Sequence, residues 1–233
     1  MLILALDTTT RAGSIALFRD GEIVDVYIGD AARTHGERLP NDVHRLLARN
    51  RVRAADIDLF AVAAGPGSFT GLRVGIAAVQ GLAFATARSV VAVSALDMLA
   101  RAGTGNNEPP RIAAWMDAQR AQVFAALYEP TPNASPRPIR PPVAASPDDV
   151  LRAWEEELQP SAVRFVGDGA IRYAELIRAT LPQADIAPLP PLAPEIARFA
   201  HAHVSEAVAP HAIVPIYVRP PDAELARARR SSS

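Results

Sequence analysis

The 233-residue chain contains no cysteine and no lysine, has only 6% aromatic residues and carries almost no net charge. Without cysteine there is neither a disulfide framework nor a thiolate that could act as nucleophile or metal ligand. A formal charge of −1 provides no overall basic field to attract nucleic acid. The absence of lysine excludes the phosphate loop that ends in Gly-Lys-Ser/Thr. We attribute the all-arginine usage of the 24 basic residues to genome composition.

Long apolar runs are also lacking. The stretch Gly71–Ala87 approaches the length of a membrane span, but it contains Arg73 and consists largely of glycine and alanine, so we expect a helix buried between protein surfaces. The start, Met1–Asp7, has no basic region, and its apolar run is too short for a signal peptide. We therefore expect a soluble, cytoplasmic protein that needs no membrane.

Glycine and proline divide the chain into two parts. Eleven of the 13 glycines lie at or before Gly105, whereas 19 of the 21 prolines lie at or after Pro109. Gly103–Pro110 has the composition of a linker. The sequence therefore predicts an N-terminal lobe over residues 1–107 and a second lobe over 108–233.

The first lobe is predicted to be a mixed sheet covered by helices. Apolar runs and a hairpin turn predict strands at Leu2–Leu6, Ser14–Phe18, Glu22–Ile28, Leu59–Ala64 and Val90–Val93. Helical spacing predicts one helix through Leu39, Val43, Leu46 and Leu47, with Pro40 in its first turn, and a second helix over Gly71–Ala87.

The second lobe repeats the start of the first. Leu4–Leu17 aligns with Ala114–Leu127, each being a strand that ends in aspartate, a polar turn and another strand. Such an echo predicts a duplicated lobe. In the rest of this lobe we expect at most one edge strand in the proline-rich stretch Glu129–Pro147 and a further strand at Val163–Val166. Helices are predicted at Asp148–Leu158, Ala170–Leu181 and Pro194–Val208, and the last of them is expected to pack back on the first lobe. We expect a disordered tail from about residue 225.

The most distinctive motif is the glycine-rich stretch Gly65–Gly75, which joins a buried strand to a helix. Such a turn can bind a phosphate or allow close protein packing. Ser68 occupies the place of a nucleophile at a strand-to-helix turn, but the sequence lacks the Gly-x-Ser-x-Gly pattern. We expect Ser68 or Thr70 to cap the helix instead.

A phosphate or metal site has only partial support. Asp7, Thr8, Thr9 and Thr10 form a turn of the kind that wraps nucleotide phosphates, although these residues are equally good turn formers. The corresponding turn of the second lobe, Asp117–Arg120, has no glycine to let phosphates approach. None of the five histidines has another four residues away, so no helical two-histidine clamp is predicted. We expect no cofactor, no metal and no catalytic residue.

The predicted helix over Gly71–Ala87 has an outer face with almost no charge. Its inner stripe consists of Leu72, Ile76, Val79 and Ala83, and Gly71 and Gly75 would allow another backbone to approach closely. The outer side carries Arg73, Ala77, Gln80 and Phe84. A helix facing water normally presents charges there, so we predict that a partner covers it.

The motif Gly65–Gly75 resembles that of the bacterial TsaB (YeaZ) family, non-catalytic subunits of the machinery that makes threonylcarbamoyladenosine in tRNA. Further similarities, in the same order along the chain, lie at Leu6–Thr9, Thr34–Pro40, Asp117–Arg120, Gly167–Ala170 and Pro215–Arg219. The glycine motif is specific to the family, whereas the Asp-Thr turn is shared by the actin-like ATPases. Gln119 and Ala121 depart from the family, which more often has arginine and glycine there.

This resemblance implies an α/β fold of the actin/Hsp70/sugar-kinase type with two related lobes. It implies a heterodimer with the paralogous catalytic subunit TsaD, which holds a metal through a His-x-x-x-His pair that this chain lacks. The resemblance further implies that an ATPase subunit, TsaE, joins this assembly and that tRNA is contacted only through the complex. It also implies a possible homodimer of the chain when its partner is absent. The implied partner-binding residues lie on the first-lobe helices: Leu39, Val43, Leu47, Gly71, Arg73, Ala77, Gln80 and Phe84.

Two enzymatic alternatives remain open on the sequence. One is a small-molecule kinase or ATPase of the same fold, which would need an intact glycine turn near Asp117. The other is a peptidase acting on the paralogue, for which no triad or metal cluster is visible.

Overall fold

The computed structural model describes residues 1–104, 110–131, 135–159 and 162–219. Most of the predicted linker and the predicted disordered tail from about residue 225 lie outside the described residues. The account below concerns the described residues.

The first sheet contains β1 to β5 and corresponds closely to the prediction. Its spatial order is β3-β2-β1-β4-β5, with β1, β2 and β3 antiparallel and β4 and β5 parallel to β1. Apolar runs mark the central strands because both faces of the sheet are covered. The strands are Leu2–Asp7 (β1), Ser14–Arg19 (β2), Glu22–Ile28 (β3), Leu59–Gly65 (β4) and Val90–Ser94 (β5).

The second sheet repeats this topology, which confirms the two related lobes. Its spatial order is β10-β9-β6-β7-β8, with the hairpins antiparallel and the β6–β9 and β9–β10 pairs parallel. The proline-rich strand β8 lies at the edge, where missing N–H donors do least harm. The strands are Arg111–Asp117 (β6), Val123–Glu129 (β7), Arg137–Ala145 (β8), Val163–Val166 (β9) and Asp185–Ala187 (β10).

Helices cover both sheets. They are His35–Arg49 (α1), Phe69–Ala85 (α2), Ala95–Thr104 (α3), Pro147–Ala153 (α4), Glu155–Leu158 (α5), Asp168–Arg172 (α6), Ala174–Thr180 (α7) and Ala193–Ala202 (α8). Short 3-10 turns occur at Ala54–Asp56, Val204–Glu206 and Pro210–Ala212. Below, the first lobe means β1–β5 with α1 and α2, and the second lobe means β6–β10 with α4–α7.

Several sequence predictions need correction. Pro40 lies inside α1 and not in its first turn, because a capping box at Thr34 and Glu37 starts the helix earlier. The predicted helices over 148–158 and 170–181 are each divided in two, at Trp154 and at Tyr173. Helix α3 and the three-residue strand β10 were not predicted.

Two hydrophobic layers enclose the first sheet. Helices α1 and α2 cover one face, and Leu39, Val79, Leu4 and Phe60 belong to the buried core between these helices and the sheet. On the opposite face, α3 and α8 lie against a core that contains residues of both sheets. The amide of Ala193 at the start of α8 donates to Ser14 Oγ at 3.0 Å. The core between the lobes is therefore continuous. Among the described residues, no helix combines the length and apolarity needed to cross a membrane.

Candidate docking surface and lobe turns

The glycine motif forms a sharp turn between β4 and α2. Gly65 and Gly67 adopt φ values of +128° and +159°, and the Gly65–Pro66 peptide bond is cis. Ser68 caps α2, since its hydroxyl accepts a hydrogen bond from the Gly71 amide at 3.2 Å. The prediction that Ser68 serves as an N-cap is confirmed. Its hydroxyl is engaged with the first turn of the helix, as expected for a capping residue.

The inner side of the motif lies directly on the Asp7–Thr10 turn. The Ser68 amide donates to the Thr9 carbonyl at 2.9 Å. A Cβ at Gly67 would lie 2.5 Å from Thr9 Cβ, and a Cβ at Gly71 would overlap the Thr8 carbonyl oxygen. The predicted close backbone approach therefore occurs within the chain. The start of α2 therefore packs directly against the Asp7–Thr10 turn.

The carboxylate of Asp7 is satisfied within its own turn. It accepts hydrogen bonds from the Thr9 amide at 2.8 Å and from the Thr9 hydroxyl at 2.6 Å. Asp7 and the three threonines are all buried. Burial raises the pKa of Asp7 above its usual value, while its bonds with Thr9 and Thr10 oppose the shift. The turn behaves as a packed structural element.

A buried polar cluster on α1 supports the same turn from the other side. The Nε2 atom of His35 lies 2.9 Å from the Thr10 carbonyl oxygen, and its Nδ1 atom lies 3.0 Å from Arg38 Nη2. Arg38 also donates to the carbonyl of Ala12 and forms an ion pair with Asp42 at 2.8 Å. This cluster was not predicted from the sequence. The sequence signal that could have revealed it is the spacing of His35, Arg38 and Asp42, because residues three or four positions apart lie on the same face of a helix.

The second-lobe turn is held by ion pairs and hydrogen bonds. Asp117 accepts from the Gln119 amide at 2.9 Å and from Arg172 Nη1 at 2.7 Å. The Asp117 amide donates to Asp168 Oδ1 at 3.0 Å. Burial raises the pKa of Asp168. Among the described residues, no group of three or more histidine, aspartate or glutamate side chains is arranged to hold a metal ion.

The outer face of α2 is exposed and nearly uncharged. Arg73, Ala77 and Phe84 are exposed, and Phe84 reaches 83%. The guanidinium carbon of Arg73 lies 3.8 Å from the centre of the Phe69 ring, so its charge is held against an aromatic face. Gln80 is partly buried and donates to the Pro210 carbonyl at 2.9 Å. We call Phe69, Arg73, Ala77, Gly81 and Phe84 the outer face of α2.

Four residues predicted to bind a partner lie elsewhere. Leu39, Val43 and Leu47 point into the core beneath α1, and Gly71 lies against Thr8. They are buried because the apolar stripe of α1 covers the sheet of its own lobe. A partner could not contact these side chains directly, so only the exposed positions are retained below.

These features define the class of protein. Two lobes of identical sheet topology each place an aspartate at the end of their first strand, which is the arrangement of the actin/Hsp70/sugar-kinase-like fold. A solved structure of an activator of 2-hydroxyisocaproyl-CoA dehydratase from Clostridium difficile, with bound ADPNP, matches with a TM-score of 0.51 and covers 93% of this chain and 100% of that chain. Its sequence identity of 14% supports the fold alone.

Comparisons with known proteins then identify the family. The family model described as "TsaD: tRNA N6-adenosine threonylcarbamoyltransferase" matches residues 28–158. The tRNA threonylcarbamoyladenosine biosynthesis protein TsaB of Haemophilus influenzae is 31% identical over 195 residues, 80% of each chain. TsaB of Escherichia coli is 37% identical over 133 residues, and this match spans only 57% of each chain.

A structural comparison agrees. A Pseudomonas aeruginosa protein described as similar to the peptidase YEAZ has a TM-score of 0.78 and 32% identity, covering 94% of this chain and 99% of that chain. The chain belongs to the TsaB (YeaZ) family.

Proposed function

We propose that this protein is a non-catalytic subunit of the tRNA threonylcarbamoyladenosine machinery. It pairs with the paralogous catalytic subunit TsaD, so that the threonylcarbamoyl group is transferred to the adenosine next to the anticodon. The family assignment supports the pathway. In this proposal the ATPase subunit TsaE joins the assembly, tRNA is contacted through the complex, and the free chain can pair with itself.

The outer face of α2 carries this proposal. Two exposed phenylalanines mark its ends, and small residues lie between them. Arg73 is its one charged member and stacks on Phe69. A surface with small side chains allows a partner helix to approach closely, while exposed aromatic rings supply apolar area to bury. We propose contact at Arg73, Ala77 and Phe84, with Gln80 orienting the flanking segment through its bond to Pro210.

The non-catalytic part of the proposal is supported by the state of both lobe turns. The backbone of the glycine motif packs against the Asp7–Thr10 turn, and the Asp7 carboxylate is bonded within the turn. The turn at Asp117 lacks glycine, and its carboxylate pairs with Arg172 at 2.7 Å. A kinase or ATPase needs open amides and a free carboxylate at these turns to hold phosphate and a divalent cation. We accordingly do not favour the enzymatic alternatives. We retain residues 1–107 and 108–233 as the proposed lobe boundaries.

One experiment tests the pathway and the surface together. Cells depleted of the protein are complemented with wild type, Ala77→Glu or Ala179→Glu, and threonylcarbamoyladenosine in bulk tRNA is measured by mass spectrometry. Both alanines are exposed positions on helices, but Ala179 lies on α7 of the second lobe. We expect Ala77→Glu to lose co-purification with TsaD and to lower the modification at least tenfold, because docking would bury an unpaired charge.

The matched variant Ala179→Glu should restore wild-type levels. An unchanged nucleoside on depletion would refute the proposed pathway. Full restoration and normal co-purification by Ala77→Glu would refute the proposed surface.

A further inference from the structure

We propose that residues Ile213–Arg219 form a strap that ties the first lobe to the turn of the second lobe, and that Arg219 is the positioning residue that closes it. The strap follows α8 and the 3-10 turns and runs along α2 in the opposite direction, from Pro210 beside Gln80 to Tyr217 beside Phe69. It then reaches the turn after β6.

The strap is anchored firmly on the first lobe. Ile213 is buried in the core beneath α2. The Ile216 amide donates to the Ala64 carbonyl at 2.7 Å, and the Ile216 carbonyl lies so close to Gly65 that a Cβ there would overlap it. The Tyr217 ring centre lies 5.7 Å from that of Phe69. The glycine motif thus makes room for the strap as well as for the Asp7–Thr10 turn.

Arg219 provides the anchor on the second lobe. Its Nη2 donates to the Ala118 carbonyl at 3.0 Å, and its Nη1 donates to Gln122 Oε1 at 2.8 Å. The guanidinium carbon lies 5.6 Å from the centre of the Phe124 ring. A planar guanidinium with a fixed fork of donors can make these contacts simultaneously, which a lysine ammonium could not reproduce.

The turn that Arg219 contacts has an unfavourable backbone. Gln119, Arg120 and Ala121 have φ values of +60°, +55° and +55°. Left-handed conformations are costly for residues other than glycine and rarely follow one another. Within the turn, the Ala118 amide donates to the Gln122 carbonyl at 3.1 Å and the Gln122 amide to the Gln119 carbonyl at 3.0 Å. Arg219 therefore bonds to both residues that close the turn, to Ala118 through its carbonyl and to Gln122 through its side chain.

The location of the strap gives it a mechanical role. The shared core joins the lobes on one side, and a second tie at the turn after β6 opposes rotation of one lobe against the other about that core. The strap joins the end of β4 to the turn after β6. It therefore fixes the acidic turn at Asp117 relative to the glycine motif.

Hydrogen exchange of the isolated chain tests the proposal without partner or tRNA, so its outcome is independent of the proposed pathway. The variants are Arg219→Ala, Arg219→Lys and Gln122→Ala, with Arg45→Ala, an exposed arginine of α1, as control. The reporters are the amides of Ala118 and Gln122, compared with amides of β1.

We expect Arg219→Ala to speed exchange at both turn amides about tenfold, as loss of charged hydrogen bonds predicts. Gln122→Ala should give a smaller increase, because the bond to Ala118 remains, and Arg219→Lys an intermediate one. Amides of β1 and the control should be unchanged. Turn amides that keep their wild-type rates in Arg219→Ala, or accelerate no more than those of β1, would overturn the proposal.

Discussion

His35 is a buried imidazole with both ring nitrogens engaged. Because Arg38 can only donate, Nδ1 must accept from it, and Nε2 then carries the proton that is donated to the Thr10 carbonyl. Burial lowers the pKa of His35, and the charge of Arg38 lowers it further. The neutral ring therefore links α1 to the first-lobe turn.

This protonation state predicts a pH dependence. A histidine with a lowered pKa in the folded state binds fewer protons there than in the unfolded chain, so its contribution is present above about pH 6.5 and is lost as pH falls below it. We therefore expect the free energy of unfolding of the wild type to exceed that of His35→Gln by a margin that shrinks as the pH is lowered from 8 to about 5. His44→Gln, at an exposed position of α1, should keep the wild-type dependence in urea titrations. Identical pH dependence in wild type and His35→Gln would contradict this prediction.

The two faces of helix α2 have different surroundings. Its inner glycines lie on the first-lobe turn, and its outer face is exposed. Gly75 and Gly81 have opposite surroundings: a Cβ at Gly75 would overlap Thr8 Oγ1, whereas one at Gly81 would meet nothing within 4 Å. Small residues on the inner side allow close packing, but those on the outer side have no such explanation within the described chain.

The two glycines provide a matched pair of substitutions. Gly75→Ala should destabilise the protein by about 1–3 kcal/mol through overpacking against Thr8. Gly81→Ala should stabilise it by about 0.5–1 kcal/mol, because alanine restricts the unfolded chain and suits a helix. Urea unfolding of both variants measures the difference. Equal effects of the two substitutions would show that α2 does not pack on the turn as described.

At the scale of the whole molecule, α8 joins parts of the chain that are distant in sequence. It follows the second sheet but packs on β1, β2 and α3 in the core shared by both lobes. Ile196 is fully buried there. The first sheet is therefore completed by a late segment of the chain, and we expect the two halves to unfold together.

A truncation at α8 tests this coupling. Ile196→Ala should cost about 2–5 kcal/mol, because it leaves a cavity between α8 and the first sheet. Val204→Ala, at a partly exposed position just beyond α8, should change stability by no more than about 0.5 kcal/mol. Calorimetry gives the stability, and hydrogen exchange should show faster opening of β1 and β2 in Ile196→Ala. Opening confined to the second sheet would argue against the shared core.

Much of the fold was predictable because its signals are local. Continuous apolar runs marked β1, β4 and β9 within a residue or so, and the glycine motif marked the start of α2. The strand β10 was missed because a three-residue strand in a proline-rich stretch depends on pairing with β9 for its existence. Helix α3 was missed although Ser94 and Asp97 form an N-terminal capping pattern, and the Asp97 amide donates to Ser94 Oγ at 3.3 Å. This signal lies directly at the end of β5, with no loop to separate strand from helix.

The sequence by itself determined the repeated strand–turn–strand unit that opens each lobe, the capped glycine turn and the unusual composition of α2, since each depends on neighbours a few residues apart. Only the tertiary structure decided which surfaces of these elements are free. Gly71 contacts Thr8, and Arg219 contacts Ala118, although the members of each pair are far apart in sequence. No periodic pattern of residues predicts such contacts. Packing of distant segments therefore filled the inner side of α2 and left its outer face exposed.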